Sequence, residues 1–220
     1  MIAVFDLDDT LYNEISFVKS GFNEVSKLLS KETKLNKNSI YKRLIQILND
    51  YGRGEVFDIF LKENNLQKKK FLSKCLSVYR SHKPKIELYN DSVRLLSQLY
   101  KKPYIVTDGN KLVQKNKIIH LGLQKQVKKA FITHNYGLKH AKPSIHCFNK
   151  IKVREKIDWS EMIYVGDNPF KDFVNLNKLG VKTVRIMRGP YKNVRSNDQY
   201  DAKYHIKNLL QVIKLFKQKI

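Results

Sequence analysis

Two aspartates, Asp6 and Asp8, come directly after an unbroken apolar run that begins at Met1. Such a run with polar residues after it is typical of a strand buried on both faces of a parallel sheet. Side chains alternate along a strand with a period of two, so we expect both carboxylates to project to the same side. Two close carboxylates repel each other and hold a proton or a cation between them. The alternative, in which Asp8, Asp9 and Thr10 are turn and helix-cap residues, leaves Asp6 unexplained.

Polar side chains also follow three later segments of the chain. Thr107 ends a second apolar run, Lys142 lies in a loop before a proline, and Asp167 follows another apolar run, with Asp172 further along. The carboxyl ends of parallel strands meet at one edge of a sheet. We therefore expect these side chains to converge with the first pair of aspartates.

The acidic residues of this chain are concentrated at the predicted strand ends. Of 20 Asp and Glu residues, six lie at three such ends: Asp6, Asp8, Asp9, Asp108, Asp167 and Asp172. Carboxylates gathered in one place favour a hard cation, and Mg²⁺ takes about six oxygen ligands, some of them from water and substrate phosphate. A lysine and a threonine hydroxyl beside the carboxylates suit a phosphoryl group.

The elements that must position these residues alternate between strands and helices from Ile86 onward. This alternation predicts a parallel, doubly wound sheet. The strands predicted after the first are Tyr104–Val106, Ala130–Thr133, Met162–Val165 and Val181–Ile186. The last segment, Tyr204–Ile220, has the spacing of an amphipathic helix. Its predicted inner face is Ile206, Leu209, Leu210, Ile213 and Phe216.

The segment between the first strand and Ile86 has helical spacing of its apolar residues. Breaks near residues 31–37, 51–54 and 62–68 predict about four helices. The predicted organisation is a catalytic core of residues 1–13 and 86–220, with a helical insert of residues 14–85 that would cover the site. Within the insert, Arg53 lies between two glycines; it would either bind a phosphate or carboxylate, or lie in solvent as an ordinary loop residue.

The composition indicates a globular protein with a large excess of basic residues. Hydrophobic residues make up 42% of the 220 residues, and the formal net charge is +23. The lysines are scattered, so we do not expect nucleic acid as a partner, although a positive field would steer anionic substrates toward a site. The chain has two cysteines, no signal-peptide pattern at its start and no apolar stretch long enough for a bilayer. These features predict a cytoplasmic protein with no membrane partner.

Together the motifs resemble those of the haloacid dehalogenase (HAD) superfamily of phosphohydrolases. Its Asp-x-Asp-x-Thr motif stands here as Asp6–Thr10, and the Thr or Ser that ends the next strand is Thr107. The loop lysine is Lys142, and the Gly-Asp pair with a second Asp downstream is Gly166–Asp167 with Asp172. The helical insert is similar to the cap of one large branch of the superfamily. The resemblance implies an α/β fold, with a Rossmann-like parallel doubly wound sheet and an inserted α-helical cap domain.

The resemblance also implies a role for each matching residue. Asp6 would be the nucleophile that forms an aspartyl-phosphate, and Asp8 the general acid and then the general base. Lys142 would offset the charge on Asp6 and on the phosphoryl group. The implied Mg²⁺ ligands are Asp6, the backbone carbonyl of Asp8, Asp167 and, directly or through water, Asp172. The implied phosphate and substrate contacts are Thr107, Asp108, Gly109, Lys142 and, from the cap, Arg53.

Asp108 departs from the family pattern, because many relatives carry Asn at this position. An additional carboxylate beside a phosphate site would be repulsive unless it points away or is hydrogen-bonded. This residue therefore puts substrate affinity in question more than the mechanism.

The expected function is Mg²⁺-dependent hydrolysis of a small phosphomonoester, either a sugar phosphate or a nucleotide. Asp8 favours a phosphatase over the dehalogenases, which lack this second carboxylate. The insert around Gly52–Asp58 resembles the caps of phosphoglycolate and acylneuraminate phosphatases, and a closing cap would exclude water and large substrates. Two alternatives remain: a phosphatase of polynucleotide ends, and a non-catalytic binding or regulatory module that has kept the fold.

Overall fold

The computed structural model of the chain describes residues 1–215. The chain divides into two compact units, residues 1–14 with 86–220, here called the core unit, and residues 15–85, the helical unit. The predicted domain limits lie within one residue of this division. The assignment of the helical unit as a cap stays a prediction.

The core unit is built on a parallel sheet. Its described strands are β1 (Ile2–Phe5), β2 (Tyr104–Thr107), β3 (Lys129–Ile132), β4 (Met162–Gly166), β5 (Lys182–Ile186) and β6 (Tyr204–Ile206). They pair in the order β3-β2-β1-β4-β5-β6, and every neighbouring pair is parallel. The predicted α/β doubly wound sheet is confirmed. Because the strand order reverses at β1, the carboxyl ends of β1 and its neighbours form the edge where such folds bind ligands.

Strand β1 lies at the centre of the sheet because its apolar residues can be covered on both faces. All four of its residues are buried, as are all five residues of β4 beside it. The strand ends at Phe5, and the backbone N–H of Asp6 donates to the carbonyl of Val165 at 2.8 Å. This hydrogen bond fixes the first catalytic candidate against the end of β4.

Helices connect the strands of the core unit. They are α5 (Asn90–Gln98), α6 (Lys111–His120), α7 (Leu123–Gln126), α8 (His146–Glu155), α9 (Val174–Lys178) and α10 (Gln211–Leu215). Apolar side chains of the strands and helices share one buried cluster that includes Val4, Val106, Phe148, Tyr164 and Leu176. Burial of this cluster holds the sheet rigid beneath the polar residues at its edge.

The helical unit contains four helices, in agreement with the sequence pattern. They are α1 (Glu14–Glu32), whose first residue belongs to the core unit, α2 (Lys37–Tyr51), α3 (Val56–Glu63) and α4 (Lys68–Ser81). Their apolar stripes meet in a core of their own that includes Val25, Leu29, Leu44, Ile47 and Cys75. The second helix begins at a cap, since the Asn36 side chain accepts hydrogen bonds from the backbone N–H groups of Asn38 and Ser39.

The prediction of one long helix from Tyr204 was wrong. Residues Tyr204–Ile206 form strand β6, which pairs with β5, and a helix begins only at Gln211. Ile206 and Leu209 are buried as predicted, but Ile206 is buried as a strand residue. An apolar residue flanked by exposed ones satisfies a strand as well as a helix, and pairing with the free edge of β5 decides between them. Phe216 lies outside the described residues.

Two further sequence features have a structural counterpart. Cys75 and Cys147 are both buried and free of disulfides. Within residues 1–215, no helix has the length and apolar character needed to cross a bilayer.

Candidate active site

The polar residues predicted to converge do meet at the carboxyl edge of the sheet. Asp6 follows β1, Thr107 ends β2, and Asp167 follows β4. Lys142 comes from the loop between β3 and α8, and Asp172 from the loop that follows Asp167. All five side chains are buried. The charges of the three aspartates and the lysine therefore interact with little screening by solvent.

Three of these residues form an acidic cluster. One carboxylate oxygen from each of Asp6, Asp167 and Asp172 lies within 4.8 Å of the other two. Burial, followed by repulsion from neighbouring acids including Asp172, raises the pKa of Asp6 to about 7 even though Lys142 opposes the rise. Burial and repulsion from Asp172 and Asp6 raise the pKa of Asp167 to about 9. Burial and mutual repulsion therefore make it unfavourable for these carboxyl groups to be ionised together without a further cation.

Lys142 is the cation that bridges the acidic cluster. Its Nζ donates to Asp6 Oδ1 at 2.6 Å and to Asp172 Oδ1 at 2.7 Å, and lies 3.0 Å from the Tyr164 hydroxyl. Burial alone would lower the pKa of Lys142, but Asp172 and Asp6 raise it well above its ordinary value. The lysine is therefore held charged between Asp6 and Asp172.

The donor set of the cluster fits Mg²⁺. Its ligand atoms are carboxylate oxygens, which Mg²⁺ prefers; Asp6 and Asp167 directly follow two neighbouring strands, and Asp172 lies in the loop after Asp167. The raised pKa values of Asp6 and Asp167 indicate a site where a divalent cation would replace protons. The fourth implied ligand, the backbone carbonyl of Asp8, stays a prediction.

Asp172 organises its own loop as well as contributing to the cluster. Its Oδ1 accepts hydrogen bonds from Lys142 and from the Tyr164 hydroxyl, and its Oδ2 accepts one from the backbone N–H of Asn168 at 2.9 Å. A Cβ atom on Gly166 would lie 2.5 Å from Asp172 Oδ2. The Gly-Asp motif thus needs its glycine to let this carboxylate approach the end of β4.

Asp8 has hydrogen-bond partners different from those of Asp6, although its charge contributes to raising the pKa of Asp6. Its Oδ1 accepts hydrogen bonds from the Tyr12 hydroxyl and from Lys117 Nζ, both at 2.6 Å, and its Oδ2 accepts one from Gln114 Nε2 at 2.7 Å. The strand ends at Phe5, so alternation with a period of two no longer governs the residues beyond it. Burial would raise the pKa of Asp8, but the Lys117 charge and these hydrogen bonds lower it.

Gln114 and Lys117 are functional candidates that the sequence interpretation missed. Both lie on α6 and both are buried, together with Ile118 on the same helix and Leu121 directly after it. This spacing is that of a core-facing stripe, and two of its positions are polar. Polar residues at buried positions of the helix that directly follows Thr107 are the sequence signal that could have identified Gln114 and Lys117.

Thr107 and Gly109 are connected to the same glutamine. Gln114 Nε2 lies 2.6 Å from Thr107 Oγ1 and 2.8 Å from the backbone carbonyl of Asp108. Gly109 has a φ of +132°, and a Cβ atom there would lie 3.2 Å from the Gln114 side chain. The turn after β2 therefore requires glycine, and it leaves Thr107 buried beside Asp8.

Asp108 is hydrogen-bonded, which was one of the conditions under which its charge would be tolerated. Its Oδ1 accepts from the Thr133 hydroxyl at 2.7 Å and from the backbone N–H of Lys142 at 3.1 Å, and its Oδ2 lies 3.3 Å from Lys171 Nζ. Burial opposes ionisation, but the charges of Lys142 and Lys171 lower the pKa of Asp108. The side chain thus anchors the loop that carries Lys142.

Arg53 belongs to the helical unit. It lies in the exposed connection between α2 and α3, beside Gly52. Its contact with a substrate stays a prediction.

Comparisons with known proteins agree with this fold. Residues 3–186 match the family of haloacid dehalogenase-like hydrolases. A protein of Methanocaldococcus jannaschii called glyceraldehyde 3-phosphate phosphatase is 29% identical over 97% of this chain and 96% of its own length. A protein of Methanopyrus kandleri with the same name is 27% identical over 91% of this chain and 89% of its own.

Solved structures share the fold over nearly the whole chain. The crystal structure of a HAD phosphatase from Thermococcus onnurineus superposes with a TM-score of 0.63 at 22% identity, covering 100% of this chain and 99% of the other. A putative HAD-hydrolase from Bacillus subtilis gives a TM-score of 0.69 at 18% identity, covering 97% of both chains.

The parallel sheet and the carboxylate cluster at its edge define a phosphohydrolase of the HAD type, which is the class that the sequence motifs predicted. The chain belongs to the haloacid dehalogenase-like hydrolase family. The relatives named above, which are called phosphatases, confirm that the enzyme is a phosphoric monoester hydrolase.

Proposed function

We propose that the protein is a Mg²⁺-dependent phosphatase of small sugar phosphates that works through an aspartyl-phosphate on Asp6. The observation that carries the proposal is the buried cluster of Asp6, Asp167 and Asp172 with Lys142 at the end of the central strand. A carboxylate nucleophile beside a fixed lysine and a cation-binding set of oxygens is suited to phosphoryl transfer, which depends mainly on positioning and charge stabilisation.

In the first step, an Asp6 oxygen attacks phosphorus while the bond from phosphorus to the substrate oxygen breaks. Asp8 donates a proton to the departing alkoxide, so that a neutral alcohol leaves. Lys142 offsets the charge on Asp6 and on the phosphoryl oxygens, and the Thr107 hydroxyl binds one of those oxygens. A bound Mg²⁺, held by Asp6 and Asp167, would neutralise the negative charge that the phosphoryl group brings to the acidic cluster.

In the second step, water attacks the phosphorus of the aspartyl-phosphate and the acyl phosphate bond breaks. Asp8 accepts the proton of the water, Asp6 is regenerated, and inorganic phosphate leaves. The Lys117 charge and the hydrogen bonds that lower the pKa of Asp8 favour its deprotonated form in the free enzyme, which is the form that this step requires. The proton that Asp8 passes to the alkoxide in the first step is therefore one that enters with the substrate as its phosphate monoanion.

The choice of substrate class is supported by the relatives. Those compared above are called glyceraldehyde 3-phosphate phosphatases, at 27–29% identity over most of their length. We therefore propose a short-chain sugar phosphate as the substrate. Under this proposal the helical unit acts as a cap, and its Arg53 contacts the substrate.

The proposal is tested by measuring phosphate release from a panel of phosphomonoesters with and without Mg²⁺. The panel contains glyceraldehyde 3-phosphate, glycerol phosphate, a hexose phosphate, a nucleoside monophosphate and a 5′-phosphorylated oligonucleotide. Wild type is compared with Asp6→Asn, and the exposed Asp198→Asn serves as the control for loss of one acid.

The expected result is metal-dependent turnover, fastest on the short sugar phosphates and abolished only in Asp6→Asn. Equal rates in wild type and Asp6→Asn would refute the nucleophile. Faster phosphate release from the oligonucleotide would indicate a phosphatase of polynucleotide ends. Absence of turnover on the whole panel would favour a non-catalytic role.

A further inference from the structure

A buried lysine and a buried glutamine on α6 surround Asp8 without belonging to the family motifs described above. The Lys117 side chain is 4% exposed, and Gln114 is 1% exposed. A buried ammonium is strongly destabilising unless it is paired, and a buried amide requires hydrogen-bond partners. The partners of these two side chains therefore indicate what their positions achieve.

Lys117 is paired with acids of the segment that follows β1. Its Nζ donates to Asp8 Oδ1 at 2.6 Å and lies 3.3 Å from Glu14 Oε1. The same nitrogen lies 5.9 Å from the centre of the Tyr12 ring, whose hydroxyl donates to Asp8 Oδ1. Lys117 thus connects α6 with the carboxylate that the reaction needs as acid and base.

Gln114 joins the two strand ends that carry Asp8 and Thr107. Its Nε2 lies within hydrogen-bond distance of Asp8 Oδ2, Thr107 Oγ1 and the carbonyl of Asp108. When the hydroxyl oxygen of Thr107 accepts from this amide, its own hydrogen is left to donate toward a phosphoryl oxygen. Gln114 therefore orients both Asp8, which would act on the leaving oxygen, and Thr107, which would bind the phosphoryl group.

Both oxygens of Asp8 are fixed by these contacts. Oδ1 is held by Tyr12 and Lys117, while Gln114 is the donor to Oδ2 among residues 1–215. Since an oxygen of a carboxylate can accept more than one hydrogen bond, Oδ2 keeps a lone pair for the proton that is transferred. Proton transfer requires the two heavy atoms within hydrogen-bond reach, and a displacement of about 1 Å can reduce a rate by about 10²-fold.

We propose that Gln114 and Lys117 are positioning residues that hold Asp8 Oδ2 at the departing oxygen of the substrate. The inference rests on the proposed phosphatase function and assigns these two residues to one step of it, the protonation of the leaving group. Neither residue belongs to the proposed substrate contacts: Lys117 acts through Asp8, and Gln114 acts through Asp8 and also contacts Thr107.

The test compares two esters that differ in their need for a proton. The alkoxide of glycerol 3-phosphate leaves only with a proton, whereas the p-nitrophenolate of p-nitrophenyl phosphate leaves without one. The measured quantity is kcat/KM, because it reports the steps up to departure of the leaving group and is unaffected by hydrolysis of the aspartyl-phosphate. The variants are Lys117→Met and Gln114→Met, with Lys115→Met, an exposed lysine of the same helix, as the matched control.

Lys117→Met and Gln114→Met are expected to lower kcat/KM for glycerol 3-phosphate by about 10²-fold and for p-nitrophenyl phosphate by less than about tenfold, the range of a lost general acid. Lys115→Met is expected to match wild type on both esters. Lys117→Arg, which keeps the charge, is expected to recover part of the activity on glycerol 3-phosphate.

A double-mutant cycle with Asp8→Asn separates positioning from a purely structural role. If Lys117 acts through Asp8, Asp8→Asn/Lys117→Met is no slower than Asp8→Asn. An additional loss in the double variant, or equal losses on both esters, would overturn the inference. Thermal unfolding shows whether Lys117→Met folds. If it does not, Gln114→Met and Lys117→Arg are compared on the two esters instead.

The two proposals fail in different ways. A wild type that does not outperform Asp6→Asn overturns the phosphatase function and this assignment with it. A wild type that is active while Lys117→Met and Gln114→Met show no preference between esters overturns this assignment alone.

Discussion

Asp6 and Asp8 are separated by one residue, and yet they lie in opposite electrostatic surroundings. Asp6 lies beside Asp167, Asp172 and Lys142, and burial with repulsion from acids raises its pKa to about 7. Asp8 is surrounded by donors, and these lower its pKa despite burial. The surroundings of Asp6 therefore favour a cation, and those of Asp8 favour an ionised carboxylate. Acids whose environments push their pKa values apart are suited to separate catalytic roles.

The largest expected effect comes from replacing each aspartate by asparagine. With p-nitrophenyl phosphate, Asp6→Asn should release no nitrophenol, because the nucleophile is lost. Asp8→Asn should release up to one equivalent per enzyme in a rapid burst and then turn over about 10²- to 10⁴-fold more slowly than wild type. Stopped-flow absorbance measures both phases. A burst in Asp6→Asn would show that the two roles have been assigned the wrong way round.

Removal of the Lys142 charge should lower the free energy of unfolding. Lys142→Met leaves the buried carboxylates of Asp6 and Asp172 without their cation, and breaking a buried pair in this way costs about 3–5 kcal/mol. Urea unfolding near pH 8 measures the loss. The loss should be smaller near pH 5, because Asp6 then takes up a proton instead of remaining charged. A loss that is independent of pH would indicate that Lys142 contributes through packing alone.

Stability should respond to Mg²⁺ in a pH-dependent manner. The folded pKa values of Asp6 and Asp167 are raised above 3.8, to about 7 and about 9, so their favourable contribution is present below pH 3.8 and is lost as pH rises through those values. Because Mg²⁺ competes with protons for these oxygens, it should raise Tm by several degrees near pH 8 and much less near pH 5. Differential scanning fluorimetry of wild type and Asp167→Asn tests this; the variant should respond little at either pH.

The smallest effect on activity is expected from the ion pair of Asp91 and Arg188, which contains none of the candidate site residues. Asp91 accepts hydrogen bonds from Arg188 and from the backbone N–H of Leu209 at 2.8 Å. Despite partial burial, these interactions lower the pKa of Asp91, so its contribution is present above pH 3.8 and is lost as pH falls through the folded value. Asp91→Asn should cost about 1–3 kcal/mol near pH 7, because the pair is largely buried, and leave kcat/KM within about twofold. Urea unfolding of wild type and Asp91→Asn near pH 7 and below pH 3.8 measures the difference in stability. A large loss of activity in Asp91→Asn would show that the site depends on this pair.

Much of the fold was predictable because its signals are local. The buried runs at β1, β2 and β4 and the polar residues after them identified the central strands and the edge where the site lies. The four helices of the helical unit followed from apolar spacing and from breaks such as the one at Gly52. Strand β6 was not predictable from its own three residues, since their pairing with β5 is a long-range contact.

The set of residues at the sheet edge follows from the sequence alone, because strand ends and motif order are encoded locally. The sequence also determined the chemistry available there: carboxylates, one loop lysine and a threonine hydroxyl. The different hydrogen-bond partners of Asp6 and Asp8 depend on tertiary packing. Packing of α6 brings Gln114 and Lys117 against Asp8, and the loop after β4 brings Asp172 against Lys142 and Asp6. These contacts join residues distant in the chain, and burial then makes their charges decisive.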